Sequence, residues 1–167
     1  MNPFERLGLE PKFSIDLVQV ERVHRELSRA LHPDRHVRGL PSERVRALDE
    51  AVSVNEAWRT LRDPIRRAEA LLELRGSGAP SPHATPSPGF LMAMMERRED
   101  VEAAKHQGIT ALQAIEGAVA RDLTETLEEL AQALDSASAE HAPARRLLAE
   151  VRFHQRLLDE VTSLISD

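Results

Sequence analysis

Cysteine is absent from the 167 residues. That excludes disulfides, thiolate zinc sites, cysteine-ligated iron–sulfur clusters and cysteine nucleophiles. Tyrosine is absent too, and aromatic residues make up only 3% of the chain: Phe4, Phe13, Trp58, Phe90 and Phe153 are the whole set. Lysine occurs only as Lys12 and Lys105, so nearly all the positive charge is arginine. No window approaches 18 consecutive apolar residues, so no membrane-spanning helix is expected. The N-terminal MNPFERLGLE lacks a charged-then-apolar signal pattern, which makes the cytoplasm the expected address. The net charge of −6 argues against whole-chain affinity for nucleic acid.

What is abundant points to helix. Ala, Leu, Glu and Arg dominate, Thr and Ile are sparse, and no run of alternating β-branched residues lies between turn signals. The fold class expected is all-α. The stretch Arg75 to Gly89, RGSGAPSPHATPSPG, holds four of the ten prolines and three of the seven glycines and reads as an extended linker. Charge changes across it. Residues 1–75 carry 14 basic and 13 acidic side chains, whereas residues 76–167 carry 8 and 15. The organisation expected is a helical domain over 1–75, a linker over 76–88 and a second helical domain over 89–167.

Periodicity divides these further. Leu17, Val20, His24, Leu27 and Leu31 mark a helix from about Asp16 to Leu31, with Asp16 as cap, Gln19 in capping-box spacing and Pro33 ending it. A second helix is expected from a Ser42 cap to about Arg62, with Val45, Leu48, Ala51, Val54, Trp58 and Leu61 near one face. Asp63-Pro64 restarts a short helix through Ala68, Leu71 and Leu72. The two longer helices then form an antiparallel hairpin joined by HPDRHVRGLPS. Beyond the linker, three amphipathic helices are expected. They run from about Gly89 to His106 with Gly108 as the stop, from Ile109 to Ala137, and from Pro143 to Ile165. Together they suit a three-helix bundle.

The tripeptide His32-Pro33-Asp34 sits where the first hairpin helix ends. It makes a rigid polar tip: Pro33 fixes φ and removes a donor, His32 donates and accepts, and Asp34 supplies a carboxylate beside Arg35 and Arg38. Arg22, Arg25 and Arg29 lead to it along one helical face. His32 and His36 do not make a helical metal pair, because Pro33 breaks the helix between them. No metal site, cofactor or catalytic constellation is expected.

With Phe4, Leu7-Gly8-Leu9, the run Leu27 to Arg35 and the run Asn55 to Leu61, the N-terminal half resembles a J-domain. The resemblance implies docking on the ATPase domain of a DnaK-type chaperone and stimulation of its ATP hydrolysis, with no chemistry in the J-domain itself. The residues it implicates are His32, Pro33 and Asp34 at the tip, with Arg25, Arg29 and Arg35 as electrostatic contacts. The runs Ala57 to Pro64, Arg67 to Leu72 and Phe90 to Glu99, and Arg152-Phe153, extend the resemblance to the HscB-type iron–sulfur co-chaperones over nearly the whole chain. That family resemblance implies that the C-terminal bundle binds an IscU-type scaffold and delivers it to an HscA-type chaperone. The positions implicated are Leu91, Met92, Met95, Glu96, Arg98, Glu99 and Phe153. Two positions depart from the family pattern: Ala103 stands where an acidic residue is frequent, and Glu26 where J-domains usually carry a basic one.

Other readings of the same residues stay open at this level. The arginine stripe also suits an ordinary solvated face. Leu91, Met92 and Met95 suit either bundle core or an exposed strip, with Phe90, Met94 and Val101 assigned to the bundle side; Phe153 has the same ambiguity. Trp58 and Leu61 are assigned to the core of the N-terminal domain. The alternative functions are a J-domain co-chaperone for a different client, and a helical scaffold carrying the tripeptide by chance.

Overall fold

Proline at the first helical turn is a recurrent device in this chain, because its fixed φ suits that position and its missing N–H is not needed there. In a computed structural model that describes residues 1–32, 34, 40–76, 85–136 and 141–166, four of seven helices open this way. They are α1 (Pro3–Arg6), α3 (Pro41–Arg62), α4 (Pro64–Leu74) and α5 (Pro88–Gln107); the others are α2 (Leu17–Ala30), α6 (Ile109–Asp135) and α7 (His141–Ser166). No strand occurs among the described residues, and no helix is long and apolar enough to cross a membrane. The chain divides into two compact units, Met1–Ala79 and Pro80–Asp167. Of the expected linker, residues 77–84 lie outside the described residues.

The first unit is organised around α3, against which α1, α2 and α4 all pack. Asp16 Oδ1 accepts from the N–H groups of Val18 and Gln19, and Asp63 Oδ1 from those of Ile65 and Arg66, so the starts of α2 and α4 are capped by side chains. The start of α3 differs from the expected Ser42 cap. Leu40 is the cap residue, Pro41 opens the helix, and the Glu43 carboxylate takes the Leu40 N–H at 2.9 Å. The core comprises Phe4, Leu7, Phe13, Val20, Ala47, Val54, Ala57, Leu61, Ala68, Leu71 and Leu72. Full burial of each large side chain contributes roughly 1.5–3 kcal/mol.

Two further sequence expectations for this unit are corrected. Val45 and Leu48, placed on the core face of α3, are more than half exposed, while Ala47 and Ala57 are buried. Three helices pack on α3, so its apolar residues do not follow a single stripe, and small alanines take the close approaches. Trp58 is half-buried at the edge of the core rather than within it, and Leu61 is fully buried. Arg67 is also buried: its guanidinium donates to the Leu61 carbonyl at 2.5 Å and lies 4.7 Å from the Phe13 ring centroid. It thereby satisfies a backbone acceptor in the last turn of α3.

The second unit is a three-helix bundle. Ser87 caps α5 by accepting the Phe90 N–H through its hydroxyl, and Gly108, at φ 97° and ψ 178°, adopts a positive-φ extended conformation open essentially to glycine, which ends α5 and begins α6. Helices α6 and α7, of 27 and 26 residues, pair along their length, about 40 Å each at 1.5 Å per residue. Met94 and Val101 of α5 meet Val119 of α6 and Leu157 and Val161 of α7, with Phe90 packed beside them. The bundle-side assignment of Phe90, Met94 and Val101 matches this packing. On α7 the most buried leucines are Leu148 and Leu157 rather than the neighbouring Leu147 and Leu158.

Candidate functional site

In the first unit, α2 carries the implicated arginines to its own C-terminal end. Arg22, Arg25 and Arg29 are all exposed, and at about 100° per residue Arg25 and Arg29 share one face. Arg25 Nε donates to the Glu21 carbonyl at 3.4 Å and makes a loose pair with the Glu21 carboxylate, Nε to Oε1 at 4.0 Å. Past the end of α2, His32 and Asp34 are exposed and turn toward each other: the Asp34 N–H donates to His32 Nδ1 at 3.3 Å, and that nitrogen lies 3.5 Å from Asp34 Oδ2. Pro33 and Arg35, and with them His36 and Arg38, lie outside the described residues.

Beside Arg25 the structure shows a feature that periodicity alone did not reveal. Leu17, Val18, Val20, Glu21, Arg25, Trp58 and Arg62 line an open groove of about 450 Å³ between α2 and α3. Trp58 forms its wall: His24 stacks on the ring at 4.5 Å, the Arg62 guanidinium lies 4.5 Å from the ring centroid, and the indole N–H donates to Glu21 at 2.9 Å. Arg62 was not singled out from sequence. Its signal was the four-residue spacing from Trp58, which places the two side chains together on a helix.

In the second unit, the core stripe of α5 runs through Phe90, Met94, Val101 and Ala104. Leu91 lies at the edge of that stripe and is half-buried; Met92 is 65% and Met95 67% exposed. Helical rotation of about 100° per residue puts Met92 almost opposite the core, with Met95 between it and Leu91. Glu96, Arg98 and Glu99 are exposed on the same side. Phe153 of α7 is half-buried and reaches α5 through Phe90, the neighbour of Leu91, in an edge contact with ring centroids 6.0 Å apart. Arg156, 4.7 Å from the Phe153 ring centroid, was not anticipated; its three-residue spacing from Phe153 was the available signal.

The start of α5 is fastened to α7 and its middle to α6. Glu150, buried, accepts the Ser87 N–H at 3.2 Å, and His154, also buried, meets the Phe90 ring edge-on at 5.0 Å. Arg97 donates to Asp122 at 3.0 Å. These contacts orient the exposed face of α5. Burial holds the His154 imidazole below its ordinary pKa of 6.5; the Asp122 and Glu150 carboxylates oppose that shift, and Arg97 reinforces it. The unfolded chain therefore takes up a proton near pH 6.5 that the folded one resists, so the stability His154 confers is present above that pH and is lost as pH falls below it. Calorimetric melting between about pH 7.5 and about pH 5.5 should show a fall in stability, at most about 1.4 kcal/mol per pH unit from this residue. The His154→Leu variant should lose that component, and an equal slope in both proteins would refute it.

No group of three or more His, Asp or Glu side chains is arranged to hold a metal ion among the described residues.

Comparison with known proteins adds to this geometry. The HSCB C-terminal oligomerisation domain family matches residues 86–162. A co-chaperone protein HscB homolog of Pseudoalteromonas atlantica is 33% identical over 165 residues, 96% of this chain and 94% of the relative. One from Shewanella baltica is 34% identical over 166 residues, 97% and 95%. Among solved structures, chaperone HscB from Vibrio cholerae superposes with a TM-score of 0.84 at 32% identity, covering 98% of this chain and 96% of that one. Human co-chaperone protein HscB reaches the same TM-score at 22% identity, covering 98% and 81%, and shares the fold.

Proposed function

The chain belongs to the HscB co-chaperone family, and from that premise we propose that it bridges an IscU-type iron–sulfur scaffold protein to a DnaK/HscA-type chaperone in the cytoplasm. The observation that carries this reading is the pair of exposed surfaces on two separate units. One unit bears the His32–Asp34 tip at the end of an arginine-bearing helix, and the other leaves Met92 and Met95 uncovered beside Leu91.

Each surface has the chemistry its role requires. His32, Pro33, Asp34 and Arg35, with Arg25 and Arg29, present cations and a polar tip to the ATPase domain, and the groove beside Arg25 and Arg62 adds apolar area. Leu91, Met92 and Met95 offer apolar surface with the charges of Glu96, Arg98 and Glu99 around it, and Phe153 supports that helix through Phe90; apolar area within a charged rim is the usual anatomy of a protein-binding hot spot. Joining both in one chain raises the effective concentration of scaffold at the chaperone, so neither contact needs to be tight. ATP is hydrolysed by the chaperone, and the cluster is held by the scaffold; this chain supplies the connection.

A chaperone ATPase assay with and without an IscU-type scaffold tests both surfaces together. The expected result is stimulation by the chain alone and a more than additive rate when scaffold is also present. A scaffold that adds nothing points to a different client, and a chaperone that does not respond overturns the proposal.

A further inference from the structure

Without cysteine, the thioethers of four methionines are the only sulfur in the chain. The structure sorts them. Met94 is 9% exposed inside the bundle, Met1 is the terminal residue, and Met92 and Met95 are 65% and 67% exposed on adjacent turns of α5. A thioether behaves as apolar surface only while it is reduced, because one added oxygen makes it a polar, chiral sulfoxide.

We propose that Met92 and Met95 form an oxidation site at which hydrogen peroxide or an organic hydroperoxide converts the exposed face of α5 from apolar to polar and releases the protein docked there. The release step rests on the reading of this face as the scaffold-binding surface.

The chemistry is a two-electron oxygen transfer at each sulfur. A sulfur lone pair attacks the hydroxyl-bearing peroxide oxygen, an S–O bond forms as the O–O bond breaks, and the leaving hydroxide (or alkoxide, from an organic hydroperoxide) departs as water (or alcohol) after taking the proton from the transferred oxygen. Sulfur is oxidised and the peroxide reduced. Reversal consumes two thiols, which become a disulfide as the sulfoxide oxygen leaves as water; methionine sulfoxide reductases catalyse that reaction.

Placement makes the two residues suited to this and Met94 unsuited. Both side chains are largely exposed, so a peroxide reaches them without any unfolding. Neither belongs to the cluster of Met94, Val101, Val119, Leu157 and Val161, so gaining a polar oxygen there does not disturb the core. Met94 is packed within that cluster, where access requires opening the bundle. A docked partner would cover both sulfoxides and have to desolvate them, a penalty that weakens binding by about tenfold or more for each one left unpaired.

The test treats the full chain with hydrogen peroxide and maps the sites by peptide mass spectrometry, with Met1, 86% exposed, as the internal reference for free access. Met92 and Met95 should gain oxygen at rates near that of Met1 and well ahead of Met94, with circular dichroism unchanged. The oxidised protein should bind an IscU-type scaffold at least tenfold more weakly, and a methionine sulfoxide reductase with thiol should restore binding. In the Met92→Leu/Met95→Leu double variant, peroxide should no longer change whatever scaffold affinity that variant has. Equal oxidation of Met94 overturns the site itself. Undiminished binding by the oxidised protein overturns the release. A reduced protein that fails to bind scaffold overturns the docking assignment and the release with it, while the mass map shows separately whether the site survives.

Discussion

His32→Gln reduces stimulation of the partner chaperone's ATPase to the unstimulated rate and leaves folding and scaffold binding intact. The structure makes this substitution a clean one. His32 is exposed beyond the last turn of α2, and its ring contacts there are with Asp34, the N–H at 3.3 Å and the carboxylate at 3.5 Å from Nδ1. Glutamine keeps a polar side chain of similar reach but lacks the imidazole. Exposed substitutions away from caps and core usually change stability by less than about 0.5 kcal/mol, so melting should move little. The comparison requires three measurements on the same preparation: the chaperone's steady-state ATPase, the thermal melt and scaffold affinity. An ATPase response equal to the unsubstituted protein's would remove the tip from the docking surface.

Met95→Ala weakens scaffold binding by ~1–3 kcal/mol, roughly five- to 150-fold, without changing the melting temperature of the bundle. Sequence reasoning treated Leu91, Met95 and Phe153 alike, and the structure separates them. Met95 projects from the side of α5 away from the core, so its truncation removes contact area available to a partner and little else. Leu91 is half-buried, and Leu91→Ala should weaken both binding and, more modestly, stability. Phe153 holds the Phe90 edge and lies beneath Arg156, so Phe153→Ala should lower the melting temperature as well as affinity. Titration calorimetry paired with melting curves for the three variants distinguishes a docking face from a structural one. If Met95→Ala bound scaffold as tightly as the unsubstituted chain, the α5 face would not be the contact.

Local chemistry was the most legible part of the chain. Asp16 and Asp63 cap helices because a carboxylate there can accept the free N–H groups of the first turn, and Gly108 ends α5 because a positive φ is needed there. None of this depends on distant residues. The α5 core stripe was legible for a related reason: it faces one place, the α6–α7 pair, so Phe90, Met94 and Val101 recur at helical spacing. Helix α3 was not, since neighbours on several sides leave no single stripe to find.

The distinction between an apolar residue in the core and one left uncovered was beyond periodicity, as Leu48 and Met92 show: both lie on regular helices, and both are exposed. Buried polar groups were equally hidden. Arg67, Glu150 and His154 sit inside because partners distant in sequence or backbone groups receive them: Phe13 and the Leu61 carbonyl for Arg67, the Ser87 N–H for Glu150 and the Phe90 ring for His154.

By itself the sequence determined that this protein is helical, where most of its helices begin and end, and that it carries no cysteine chemistry, because those properties depend on residue type and near neighbours. Only the tertiary structure decided which apolar side chains remain uncovered, since burial is set by what another helix happens to occupy. On α5 that decision left two methionine side chains largely exposed and turned a third into the bundle.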